Sequence, residues 1–256
     1  MSGALCIGGR ALRSRFFLGT GKFASPALME AAILASGAEV VTLALRRVDL
    51  SARGASILDR IPKACVLMPN TSGARTADEA VRIARLSQAA GCGDWIKIEI
   101  IPEQKYLMPD NEATVAATRI LAQEGFVVLP YMTPDLVMAQ RMQDAGAAAV
   151  MPLGAPIGSN RGLQTRELVR LMVEELQVPV IVDAGLGRPS EAAEAMELGA
   201  AAVLVDTAVA TAGDPVVMAA AFGKAVQAGR EAWEAGLGRV LTAAEASSPL
   251  TGFLAD

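Results

Sequence analysis

Across 256 residues, 52% of the side chains are hydrophobic but only 4% are aromatic, so a core has to be assembled from Ala, Val, Leu, Ile and Met rather than from rings. The net charge of −4, with no run of basic residues to follow a phosphate backbone, argues against nucleic acid as a partner. Histidine is absent, which removes Ser-His triads and His-ligated metals and leaves acid/base work to Lys, Asp, Glu or Tyr.

From the N-terminus, the chain reaches Arg10, Arg13 and Arg15 without an apolar stretch of signal-peptide length. No later stretch reaches the roughly 18 apolar residues of a membrane span, so a cytoplasmic protein with no membrane partner is expected. Eight short apolar runs then follow in order: Phe16–Gly19, Val40–Ala44, Ala64–Met68, Trp95–Ile100, Phe126–Pro130, Ala148–Pro152, Val180–Asp183 and Ala202–Asp206. Between them lie stretches of helical period, Pro26–Ala35, Thr76–Ala90, Glu112–Glu124, Pro134–Asp144, Thr165–Leu176 and Pro189–Leu198, with the interval around Ser56–Ile61 the weakest. Pro26 and Pro189 sit at first turns, and Gly37, Gly91, Gly125, Gly146 and Gly199 fall just past the ends. Strands that are apolar on both faces and alternate strictly with helices pair in parallel. Eight such units predict one α/β domain over residues 1–256, a closed (β/α)8 TIM barrel with a short N-terminal lead-in and a C-terminal tail.

In such a barrel the chemistry lies at the C-terminal ends of the strands. The fourth run places Trp95, Lys97 and Glu99 on one face and Ile96 and Ile98 on the other. The isoleucines must meet helices, so Lys97 points inward, where desolvation is expected to lower its pKa and free the amine as a nucleophile for imine formation. A structural Lys97–Glu99 ion pair is the competing reading. Asp183, at the top of the seventh run, is an acid/base candidate. The glycines behind it and the helix starting near Pro189 suggest an anion site, which the barrel geometry would extend to Asp206 and Thr207. The loop from Gly154 to Gly162 is long for a strand-to-helix connection, and Arg46 and Arg47 follow the second strand, where they meet an anion or pair at the surface. Cys6, Cys65 and Cys92 are widely spaced and are expected to be buried, inert thiols. The residues imply neither a metal nor an organic cofactor.

Several ordered blocks make the chain similar to thiazole synthase, the family that builds the thiazole phosphate half of thiamine. They include Gly19-Thr20-Gly21-Lys22, Ala44-Leu45-Arg46-Arg47, Pro69-Asn70-Thr71, Trp95-Ile96-Lys97, the run from Val150 to Ser159, Asp183-Ala184-Gly185-Leu186-Gly187, and the tail from Ala246 to Gly252. The resemblance implies an enzyme that joins 1-deoxy-D-xylulose 5-phosphate, dehydroglycine (2-iminoacetate) and sulfur from the thiocarboxylate of a ubiquitin-like sulfur-carrier protein. It also implies a homo-oligomer, such as a tetramer, and no bound cofactor. Lys97 falls on the family's Schiff-base lysine, Glu99 and Asp183 on its acid/base groups, and Gly158, Ala184, Gly185, Asp206 and Thr207 on its sugar-phosphate positions. Asp206 departs from the pattern, which usually has Asn there, and the segment from Ile101 to Tyr106 is atypical. A class I aldolase-like lyase and a non-catalytic phosphate-binding barrel are the alternative readings.

Overall fold

A computed structural model describes residues 3–44 and 57–248 of the chain. It opens with an antiparallel hairpin, β1 (Leu5–Ile7) and β2 (Arg10–Leu12), followed by β3 (Phe16–Gly19), α1 (Pro26–Ser36) and β4 (Val40–Ala44). After a 3-10 turn at Ile57–Arg60 come β5 (Val66–Asn70), α2 (Ala77–Ala89), β6 (Trp95–Ile98), α3 (Asn111–Gln123), β7 (Val127–Met132) and α4 (Leu136–Asp144). The chain continues through β8 (Met151–Pro152), α5 (Arg166–Glu175), β9 (Ile181–Asp183), α6 (Pro189–Glu197), β10 (Ala202–Val205), α7 (Thr207–Ala210) and α8 (Pro215–Ala235).

Strands β3 to β10 form one parallel eight-stranded sheet in the order β8-β7-β6-β5-β4-β3-β10-β9. Two parallel bridges, Val150 to Val180 and Leu153 to Asp183, join its ends and close the ring. All eight predicted strands are therefore present, in a (β/α)8 barrel, with ends displaced by up to three residues. The helices start where their caps dictate. Ser25, Thr76, Asp110 and Asp135 accept from backbone N–H groups three residues on, which satisfies donors that a helix start leaves orphaned. The long α8 was not among the predicted helices, although Asp214 capping it just before Pro215 is the same start signal that marks α1.

The strand period of two divides the core. Phe17, Val40, Met68, Leu129, Met151, Ile181 and Leu204 pack inside the ring, whereas Ile96, Ile98, Ile100 and Val128 pack outward with residues of α2 and α3. Leu5, Ile7 and Leu12 of the hairpin belong to the inner cluster, so β1 and β2 stopper the N-terminal end of the barrel. This explains a correction among the thiols. Cys92 is buried and Cys65 half-buried, but Cys6 lies on the outward face of the stopper and is exposed. No helix among the described residues is long and apolar enough to cross a membrane.

The stopper assigns different weights to neighbouring positions. Ile7→Ala should cost about 2–4 kcal/mol in denaturant unfolding by opening a cavity beneath the ring. Cys6→Ala, one residue away, should stay within about 0.5 kcal/mol.

Candidate active site

The C-terminal ends of the strands surround a cavity of about 410 Å³. Lys97, Glu99 and Asp183 all line it, as do Gly158, Ala184, Gly185, Asp206 and Thr207, so the residues singled out in the sequence converge on one place. Arg46 and Arg47 lie outside the described residues, as do the end of the Ala44–Arg47 block and the tail beyond residue 248.

Lys97 enters from β6, where Ile96 and Ile98 face the helices and turn it inward. Its Nζ lies 2.5 Å from Asp183 Oδ2 and 3.1 Å from Glu99 Oε1, and the three side chains are 3–8% exposed. The Lys97–Glu99 ion pair of the competing reading is present, and Asp183 extends it to a triad in which Lys97 stands between two carboxylates. Burial alone would depress the lysine, but Asp183 and Glu99 together outweigh it and hold the ammonium above its ordinary pKa. The expectation of a lowered pKa is therefore corrected: enclosure was legible from the strand pattern, whereas the second carboxylate, 86 residues along the chain, was not. Asp183 is itself raised, mainly by burial and further by the charge of Glu99, with Lys97 pulling the other way.

Two residues that the sequence reading did not assign set the geometry of this triad. Thr71, fully buried just past β5, donates its hydroxyl to the carbonyl of Glu99 at 2.8 Å and accepts from the Glu99 N–H at 2.8 Å. Its own N–H donates to the Lys97 carbonyl at 3.1 Å, so Thr71 fastens the strand end that carries both residues. Tyr131, fully buried on β7, places its ring 5.3 Å from Lys97 Nζ, and burial beside Asp183 and Glu99 pushes its phenol above the usual range. Only the end-of-strand position of each residue hinted at such a role.

The loops after β8 and β9 are tied together. Gly154 N–H donates to the carbonyls of Asp183 and Ala184, and Gly162 N–H donates to Gly185. Ala184 is held at φ 65°, a left-handed conformation uncommon for a residue with a side chain. Gly185, at φ 83°, lies so close to Ala155 that a Cβ would overlap its backbone. One part of the anion expectation is corrected here. The N–H groups of Gly187 and Arg188 at the start of α6 are taken by the Glu191 carboxylate, at 2.7 and 3.0 Å, so they are not offered to a ligand. Asp206 lines the cavity, and its side chain packs on Gly19 and Gly21.

The triad implies a stability test. Lys97→Ala should lose about 3 kcal/mol at neutral pH because two buried carboxylates are left without a cation. Asp183, whose pKa is already raised, climbs further in that variant. The deficit should therefore shrink as the pH falls and the Asp183 carboxyl takes up a proton, and widen as the pH rises, in unfolding titrations.

Comparison with known proteins bears on the family of the chain. Residues 6–249 match the family model described as Thiazole biosynthesis protein ThiG. A thiazole synthase of Pelotomaculum thermopropionicum is 68% identical over 250 residues, covering 98% of each chain. One from Moorella thermoacetica is 66% identical, covering 99% of this chain and 100% of that one. Among solved structures, a chain of the Amycolatopsis orientalis BexX/CysO complex superposes with a TM-score of 0.83 at 35% identity, covering 93% of this chain and 98% of that one. A match along nearly the whole sequence, joined to a barrel whose strand ends present Lys97, Glu99 and Asp183 to one cavity, places the chain in the thiazole synthase family.

Proposed function

We propose that the chain forms thiazole phosphate carboxylate from 1-deoxy-D-xylulose 5-phosphate, dehydroglycine and a sulfur-carrier thiocarboxylate, through an imine on Lys97. The observation that carries this reading is the placement of Lys97 Nζ inside the cavity between Asp183 and Glu99. A carboxylate pair that holds an ammonium also suits the protonated imine that replaces it, because both carry one positive charge at the same nitrogen. Attack requires the free amine, so a Lys97 proton passes to one of the adjacent carboxylates. The raised Asp183, 2.5 Å away, is the better acceptor.

Once the ketone oxygen has left as water, Glu99 and Asp183 move protons between neighbouring carbons and shift the carbonyl function along the sugar. The thiocarboxylate sulfur then adds to that carbonyl and stays on the sugar as its C–S bond to the carrier breaks, the carrier leaving as a carboxylate with the carbonyl oxygen. Dehydroglycine condenses with the sulfur, its nitrogen displaces Lys97 from the imine carbon, and aromatisation expels water. Support for a protein partner comes from the Amycolatopsis orientalis neighbour, which was solved as a complex with CysO. The phosphate would rest among Gly158, Ala184, Gly185, Asp206 and Thr207, which line one part of the cavity.

Borohydride reduction with 1-deoxy-D-xylulose 5-phosphate, followed by peptide mapping, should place a stable adduct on Lys97. No adduct, with Lys97→Ala keeping full activity, would remove the imine. Adding thiocarboxylate and dehydroglycine should yield thiazole, whereas carbon-carbon cleavage without a carrier would indicate an aldolase. Because two carboxylates keep Lys97 charged, the rate of adduct formation should rise with pH above neutrality. Glu99→Gln should shift that profile to lower pH by removing one negative charge beside the ammonium. Asp206→Asn should tighten the sugar phosphate by about fivefold to tenfold by removing a carboxylate from the anion's surroundings, as measured by half-saturation of adduct formation.

A further inference from the structure

Lys22 is the only Lys or Arg besides Lys97 among the described residues lining the cavity. It lies beyond β3, in the turn that follows Gly21, and its backbone is held at φ 62°. That conformation suits Gly or Asn and is unfavourable for a lysine, and such outliers concentrate where a side chain has a task. The turn directs the side chain across the cavity to the loop after β8. A Cβ placed on Gly158 would lie 2.9 Å from Lys22 Nζ and 3.7 Å from Thr207 Oγ1. An ammonium and a hydroxyl therefore converge on one small volume above Gly158, whose φ of 73° and missing side chain keep that volume open.

The same wall carries the Asp206 side chain, which packs on Gly19 and on Gly21, the residue before Lys22. Lys97 cannot supply positive charge to a phosphate here, because Asp183 and Glu99 already surround it. Among the described residues of this lining, Lys22 is the cation placed to face a dianion above Gly158.

We propose that Lys22 is the phosphate-recognising side chain of this cavity, supplying the cation that lets a phosphorylated substrate bind beside Asp206. The inference deepens the reading above and rests on it for the identity of the phosphorylated ligand. Lys22 contacts the phosphate only and takes no part in bond making.

Two measurements separate this inference from the imine. The first is the melting temperature of the full chain titrated with inorganic phosphate at constant ionic strength, for the parent, Lys22→Met and Lys22→Gly; glycine suits the left-handed backbone at this position, so that variant guards against loss of folding. Phosphate should stabilise the parent, and both variants should need about ten- to hundredfold more phosphate for the same shift, the usual cost of a lost charged hydrogen bond. Equal phosphate responses in parent and variants, or none in the parent, would overturn the proposal.

The second measurement is borohydride trapping with 1-deoxy-D-xylulose 5-phosphate against the unphosphorylated sugar. The parent's preference for the phosphorylated ketone should fall about ten- to hundredfold in Lys22→Met, through a higher half-saturating concentration, and Lys22→Arg should recover most of it. A preference that survives the loss of Lys22 would overturn the assignment while leaving the Lys97 adduct intact. A phosphate response that depends on Lys22, without any adduct, would instead count against the imine alone.

Discussion

Everything at the open end of this barrel is organised around one cation enclosed by two anions. Lys97, Glu99 and Asp183 are nearly inaccessible to water, and each alone would be costly to bury as an ion. Together they are tolerable only if the lysine stays between the carboxylates, which demands that β6 and β9 be held at a fixed spacing across the barrel interior. Closure of the ring at β8 and β9, and the double hydrogen bond of Thr71 to the Glu99 backbone, provide that constraint. The arrangement also sets the problem that catalysis has to solve. On the proposed imine reading, the amine of Lys97 rests in its charged form, and the carboxylates that keep it so stand where they would accept its proton.

Much of this was legible in the residues because parallel barrels have a simple grammar. Strands buried on both faces are continuous apolar runs, and a polar residue on the inward phase of such a run has nowhere to go but the interior. Lys97 and Asp183 were found by that logic, and Ile96 and Ile98 fixed the phase. The electrostatic sign of the site was not legible. Desolvation is a local property that a strand pattern can reveal, but the charge balance at Lys97 depends on Asp183, brought close only by closure of the ring. Thr71 and Tyr131 escaped for the same reason, since their value lies in what stands across from them. The hairpin was overlooked because its strands are three residues each and only one face of it is apolar.

The loops show which part of a general motif this chain puts to another use. A glycine-rich turn leading into a proline-started helix is a common anion site, yet Glu191 reaches back from the first turn of α6 and occupies the N–H groups of Gly187 and Arg188. The glycines also provide proximity: Gly185 lets the loop after β9 lie against Ala155, and Gly158 leaves space beside Lys22 and Thr207. The wall of the cavity is therefore shaped by backbone approach, and its charge comes from side chains that reach over from neighbouring strands.

The apolar hairpin plug beneath the ring makes the barrel a cul-de-sac. Access to the depths of the cavity is therefore by the strand ends opposite the plug, where the lining residues are gathered.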